Sequence, residues 1–100
     1  MHMDKAFKAL ASARRRQILS WLKDPLANFP PQEDGDLVRD GVCVLRIAEK
    51  LGVKQPTATQ HLKVLADVEL VVPTRIGKWT FFRRNEAVIE KLKARITDEV

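Results

Sequence analysis

Between Val44 and Leu65 the chain reads VLRIAEKLGVKQPTATQHLKVL, two stretches with helical spacing of apolar residues on either side of one glycine. At about 100° per residue, Val44, Ile47, Ala48 and Leu51 fall on one face of the first stretch, and Ala58, Leu62 and Leu65 on one face of the second. Gly52 supplies the positive φ that ends a helix sharply. Pro56 fits a helix only in its first turn, where its missing N–H would have had no partner, so the second helix is expected to begin near Lys54 or Gln55. Two short helices joined this tightly form the pattern of a helix-turn-helix.

The other face of the second helix carries Thr59, Gln60, Lys63 and Asp67. Threonine and glutamine are neutral and offer both donors and acceptors, the groups that meet base edges in a major groove wide enough for an α-helix. Thr59 and Gln60 point squarely away from the apolar stripe and are the residues most expected to face DNA. His61 lies at the border, about 60° from Ala58 on the helical wheel; a half-buried, hydrogen-bonded histidine and a base contact both fit that place. The same two-helix pattern also describes an αα-hairpin whose polar face merely meets water.

Charge favours the nucleic-acid reading. From Leu70 to Arg84 the basic residues Arg75, Lys78, Arg83 and Arg84 meet no acidic residue, whereas from Asp24 to Gly41 Asp24, Glu33, Asp34, Asp36 and Asp40 face only Arg39. One region suits phosphate and the other would repel it. The net charge of +5 and a pI near 9.7 suit a polyanionic partner. The basic region is also the one that reads as β-structure: LVVPTR and KWTFFRR are rich in β-branched and aromatic residues and are separated by Ile76-Gly77. A hairpin with Arg75 and Lys78 near its tip is expected, with Pro73 at an edge or with its nitrogen facing outward. Trp79, Phe81 and Phe82 are expected to pack against the helices rather than stack on bases.

Helices flank this unit. Asp4 to Ala11 places Phe7, Leu10 and Ala11 on one face, and Ser12 reads as the N-cap of a second helix containing Ile18, Leu19 and Leu22. Arg14, Arg15 and Arg16 read as a solvated face. Glu86 to Ile96 carries Val88, Ile89, Leu92 and Ile96 at helical spacing, a stripe to be covered by the domain's own core or by a second copy of the chain. The expected fold is mainly α with a small β-hairpin wing, a winged helix-turn-helix in the order α-α-α-α-β-β-α, with residues 1–100 forming one domain interrupted by an acidic, proline-containing insertion at 24–41. That insertion exceeds the roughly 2 to 8 residues that usually join helices. It reads either as an effector or partner site or as a tethered surface loop, with Phe29, Leu37 and Val38 as its anchors. One hundred residues make a modest core, for which oligomerisation is a natural source of extra burial. No stretch approaches the roughly 18 apolar residues of a membrane span, no signal-peptide pattern opens the chain, and a single cysteine rules out an internal disulfide framework. A cytoplasmic protein with no membrane association is expected.

The stretches FKALASARRRQIL, CVLRIAEKLGVKQPTATQHLKVL and LVVPTRIGKWTFFRR together resemble the ArsR/SmtB family of bacterial winged-helix repressors, over nearly the whole chain except residues 24 to 41. The resemblance implies a homodimer built from the first and last helices, two recognition helices in successive major grooves, and a near-palindromic operator in double-stranded DNA. It implies Gln55, Thr57, Thr59, Gln60 and His61 as the DNA-reading positions, with Lys63, Arg75 and Lys78 on phosphate. Thr57 also has a plainer reading, a hydroxyl near a helix start. Three residues depart from the family pattern. Ala13 stands where a proline often opens the second helix, Glu69 where a glycine commonly precedes the first wing strand, and Lys54 where a serine usually caps the recognition helix. If position 69 needs positive φ, glutamate carries a conformational cost there, unless the turn is built differently.

Many members sense metals through a Cys-x-Cys pair, but here the corresponding stretch is Cys43-Val44-Leu45, and one thiolate does not hold a soft ion by itself. The terminal segment lacks the histidine of the family's other metal site, and the remaining histidine is His2. No metal site and no cofactor are expected. Cys43 reads as a small, half-buried core residue, with a redox role as the other reading. No glycine-rich phosphate loop, nucleophile–base pair or metal cluster argues for an enzyme, and no catalytic residue is assigned. The function expected is that of a sequence-specific DNA-binding transcriptional regulator, a dimeric ArsR-type repressor without the usual metal sites and answering to an unassigned small-molecule or protein effector. Its alternatives are a winged-helix protein-interaction module and a thiol-responsive repressor using Cys43.

Overall fold

In a computed structural model describing residues 3–100, the chain runs α1 (Met3–Leu10), α2 (Ala13–Lys23), α3 (Pro25–Asn28), β1 (Val42–Cys43), α4 (Val44–Leu51), α5 (Gln55–Asp67), β2 (Val71–Ile76), β3 (Trp79–Arg84) and α6 (Glu86–Glu99). The helix-turn-helix is α4 and α5, and its buried residues are those the periodicity selects: Val44, Ile47 and Ala48 on α4, with Ala58, Leu62 and Leu65 on α5. Gly52 has φ 72° and ψ 32°. Its N–H donates to the Glu49 carbonyl at 3.1 Å and that of Val53 to Ala48 at 3.1 Å, satisfying two carbonyls the helix end leaves open. α5 begins at Gln55 with Pro56 in its first turn, and Lys54 before it makes no side-chain cap.

The first two helices depart from expectation on one face only. Ser12 caps α2, its hydroxyl accepting from the Arg15 N–H at 3.3 Å. α1, however, buries Ala6 and Ala9 and leaves Phe7 41% exposed, so its inner face is turned about one residue from the stripe of Phe7, Leu10 and Ala11. Two alanines let α1 lie close to its neighbours, which the bulk of phenylalanine would prevent.

β2 and β3 form the hairpin, but its loop is Gly77-Lys78, one residue later than expected, because Ile76 pairs with Trp79. Pro73 lies on the edge strand opposite Phe82, where a missing N–H leaves no ladder bond broken. A third strand that the pattern does not announce, β1, pairs antiparallel with the far side of β3 through Val42↔Phe82 and Cys43↔Phe81, giving the order β1-β3-β2. Gly41 leads into it with φ 106°, and a Cβ at that position would collide with the Phe82 carbonyl. Its open edge is closed by one side chain. The Gln32 amide donates to the Gly41 carbonyl at 2.7 Å and accepts from the Cys43 N–H at 3.1 Å, as a fourth strand would.

The acidic segment 24–41 is therefore built into the molecule. Asp24 caps α3, a one-turn helix absent from the expected order, by accepting from the Ala27 N–H at 3.3 Å. Phe29 and Leu37 are buried, and Phe29 meets Trp21 edge-on at 6.4 Å between centroids. Val38, the third anchor expected, is 58% exposed. Adjacent residues of a strand face opposite ways, yet Phe81 and Phe82 are both buried. Phe82 joins the helical core, while Phe81 lies on the other face under the insertion, in contact with Gly35. Asn85 caps α6, its side chain accepting from the Val88 N–H at 3.3 Å, and the helix buries Ile89 and Leu92 with Val88 and Ile96 partly covered. Among the described residues no helix is long and apolar enough to cross a membrane.

Glu69 sits in the left-handed region at φ 62°, between α5 and β2. The Glu69 N–H donates to Ala66 at 2.9 Å and that of Leu70 to Leu65 at 3.0 Å, the same pair of bonds that closes α4 at Gly52. A side chain here opposes the backbone the turn requires. Glu69→Gly is expected to stabilise the fold by up to about 1 kcal/mol, seen as a higher urea midpoint with an unchanged slope; a lower midpoint would contradict the reading of this turn.

Candidate nucleic-acid interface

Packing of α5 through Ala58, Leu62 and Leu65 leaves Gln55, Thr57, Thr59, Gln60 and Lys63 exposed along its outer side. All five are exposed, in an arc that runs around α5 from Gln55 through Thr59, Lys63 and Gln60 to Thr57, with the uncapped first turn at its N-terminal end. First-turn N–H groups without a side-chain cap carry the positive end of the helix dipole, a place where an anion is stabilised. Lys63 lies 3.7 Å from Asp67 one turn on, with both side chains about two-thirds exposed at 67% and 66%. Such a pair is worth little in water, so the ammonium is available to a competing phosphate.

His61 stands apart from the others. It is half-buried, and its Nδ1 lies 3.3 Å from the Arg15 guanidinium. The geometry takes up the hydrogen-bonded reading of this residue. Arg15 reaches it while donating through Nε to the Ala9 carbonyl at 2.6 Å and through Nη2 to the Lys8 carbonyl at 3.1 Å. Arg16 donates to the Leu10 carbonyl at 2.6 Å. These two arginines are thus bound to the end of α1, where cations complement the helix dipole, rather than forming only a solvated face. Burial, then the charges of Arg15 and Arg14, hold the His61 imidazole below its ordinary pKa.

On the wing, Arg75 is exposed and its Nε donates to the Gly77 carbonyl at 2.9 Å, bracing the loop and keeping the guanidinium at the tip. Lys78 is exposed beside it, its ammonium 5.6 Å from the centre of the Trp79 ring. Arg83 is exposed too. Arg84 is not part of this basic surface. Its side chain is 9% exposed, held by Glu86 at 2.7 Å, and it donates to the Leu19 carbonyl at 3.3 Å. The signal for this was Glu86, two residues beyond the uninterrupted basic tract.

The acidic side is likewise partly self-contained. The Asp36 carboxylate accepts from the N–H groups of Arg39 at 2.8 Å and Val38 at 2.9 Å, which lowers its pKa; hydrogen bonding to the Arg39 side chain does the same for Asp40. Cys43 is half-buried at the start of α4, its backbone N–H taken by Gln32. Among the described residues no group of three or more histidine, cysteine, aspartate or glutamate side chains is placed to hold a metal ion. His2 lies outside the described residues.

Comparison with known proteins agrees with this architecture. The chain is 43% identical over 96 residues to the uncharacterized HTH-type transcriptional regulator YbzH of Bacillus subtilis, covering 96% of each. It is 27% identical over 88 residues to the transcriptional repressor SdpR of the same organism, covering 88% of this chain and 81% of SdpR. In three dimensions it resembles the homodimeric winged helix-turn-helix DNA-binding domain Mb0332 of Mycobacterium bovis, a possible ArsR-family regulator, with a TM-score of 0.66 and 26% identity over 96% of this chain and 77% of that one. No family model matches the chain.

The depressed pKa of His61 has a thermodynamic consequence. On acidification the unfolded chain takes up the proton first, near the ordinary value of 6.5, and the folded state only at lower pH. The contribution of His61 is therefore complete above that value and is lost as pH falls through it toward the folded pKa. Between neutral pH and about pH 5, the urea midpoint of the wild type should fall further than that of His61→Gln; parallel curves would exclude the effect.

Proposed function

The chain belongs to the ArsR family of winged helix-turn-helix regulators, which makes it a DNA-binding transcriptional regulator and not an enzyme, and on that footing we propose that it acts as a homodimeric, sequence-specific repressor occluding a promoter. In this reading residues 1–100 are one winged-helix domain with 24–41 inserted. Gln55, Thr57, Thr59 and Gln60 face the major groove, His61 stands at the border of that surface, and Lys63 with the wing residues Arg75 and Lys78 meets the phosphate backbone. The observation that carries it is the division of α5 into a buried face, Ala58, Leu62 and Leu65, and an exposed side on which Gln55, Thr57, Thr59 and Gln60 offer neutral donors and acceptors. Neutral groups of this kind discriminate among bases, whereas cations alone bind any duplex.

Two copies are supported by the homodimeric state of the Mycobacterium bovis relative and by the exposed Phe7 on α1, the helix that together with α6 is implied to form the interface. Repression is supported by the character of SdpR. Operation without a metal is supported by the single Cys43 where metal-sensing members carry a pair.

Binding of the purified protein to its own promoter fragment should weaken steeply with added salt. Gln60→Ala should reduce preference for that fragment over random DNA by roughly 1–3 kcal/mol, and Arg75→Ala should weaken binding to both fragments alike. Absence of any sequence preference in the wild type at moderate salt would reject this reading in favour of a protein-interaction module.

A further inference from the structure

Arg15 joins three elements through one side chain. Two of its nitrogens hold the carbonyls of Lys8 and Ala9 at the end of α1, the backbone that carries it belongs to α2, and its third nitrogen meets His61 on α5. A guanidinium only donates and cannot be deprotonated. The His61 Nδ1 that it meets at 3.3 Å is therefore the acceptor, and the ring proton resides on Nε2. Among the described residues that nitrogen has no protein partner, while no buried side-chain nitrogen or oxygen is left without one. Nε2–H consequently reaches solvent, from a residue beside Gln60 on the helix whose outer face is exposed.

We infer that Arg15 is a positioning residue of the recognition surface: it selects the Nε2–H tautomer of His61, so that α5 presents a neutral N–H donor to an acceptor on DNA, in a ring orientation fixed by the end of α1. This rests on the reading of α5 as the DNA-facing helix. The histidine is thus both the hydrogen-bonded residue and a DNA contact, one nitrogen serving each role. Protonation would place two donors against each other at Nδ1 and break the link. The charged groups acting on the ring are Arg15 and Arg14, both from α2, and no carboxylate is among them, so nothing there favours the cation. The acceptor is a base-edge nitrogen or oxygen, or a phosphate oxygen.

The test combines spectroscopy with DNA binding on the full chain. Imidazole 15N shifts should report His61 with a fully protonated Nε2 and a bare Nδ1, and Arg15→Met should relax them toward the tautomer mixture of a free neutral imidazole, in which Nε2–H is only the majority form, and raise the midpoint of the His61 titration. His61→Asn keeps an acceptor near the Nδ1 position and removes the outward donor. It should unfold at a urea concentration close to the wild type while binding to the selected DNA site falls about tenfold, the size of one lost base-edge hydrogen bond. Loss confined to the selected site identifies a base acceptor, and equal loss on random DNA identifies phosphate. A protonated Nδ1 in the wild type, or unaltered DNA binding by His61→Asn while Gln60→Ala still erases preference, would overturn the inference and leave the DNA-facing role of α5 standing. If the wild type shows no sequence preference at all, the underlying reading fails and the DNA half of the inference fails with it, whatever the tautomer.

Discussion

Burial of β3 on both faces is the constraint from which the rest of the arrangement follows. Phe82 enters the helical core and Phe81 is covered from the opposite side by the acidic insertion. Each ring removed from water contributes about 1.5–3 kcal/mol, and burying both takes a layer on each face of the strand. The same strand pairs with β2 to make the wing and with β1 to set where α4 begins. It ends at Arg84, which joins α2 to the first turn of α6. Wing, helix-turn-helix and terminal helix are thereby referred to one strand, and the outer face of α5 acquires a defined position relative to Arg75 and Lys78.

The molecule divides its cations between two tasks. Arg15, Arg16 and Arg84 each reach a backbone carbonyl of a neighbouring helix through a charge-assisted hydrogen bond. Arg75, Lys78, Arg83 and Lys63 stay at the surface. Net charge alone does not distinguish the two groups. Planar guanidinium groups with several donors suit the first task, since one side chain can hold two or three acceptors at fixed angles. Arg15 illustrates the consequence: by holding α1 and touching His61 it links the helix implied to form the dimer to the helix implied to meet DNA.

Much of the candidate surface was legible because helical periodicity is a local property. The buried trio Ala58, Leu62 and Leu65, the exposed Thr59 and Gln60, the αL turn at Gly52 and the cap at Ser12 all follow from spacing and side-chain chemistry within a few residues. Glu69 was singled out only through the family resemblance, which puts a glycine there, and it is the structure that supplies the left-handed backbone at φ 62°. Less accessible were features whose partners are distant in the chain. β1 is two residues long and exists only because β3 is beside it, so no pattern announces it. The burial of Phe7's neighbours Ala6 and Ala9 depends on how closely α1 approaches the remaining helices, and the withdrawal of Arg84 from the basic surface depends on Glu86 and a carbonyl of α2.

By itself the sequence determined the two helices of the motif, the polarity of α5, the hairpin and the basic character of its tip, because each is dictated by interactions between residues at most a few positions apart. Tertiary structure alone decided that the acidic segment 24–41 covers Phe81, that Gln32 closes a sheet edge, and that His61 is tied to α1 through Arg15. The reason is physical: a donor or an apolar ring states its need locally, but which carbonyl, ring or helix end satisfies it is settled only when segments far apart in sequence are packed together.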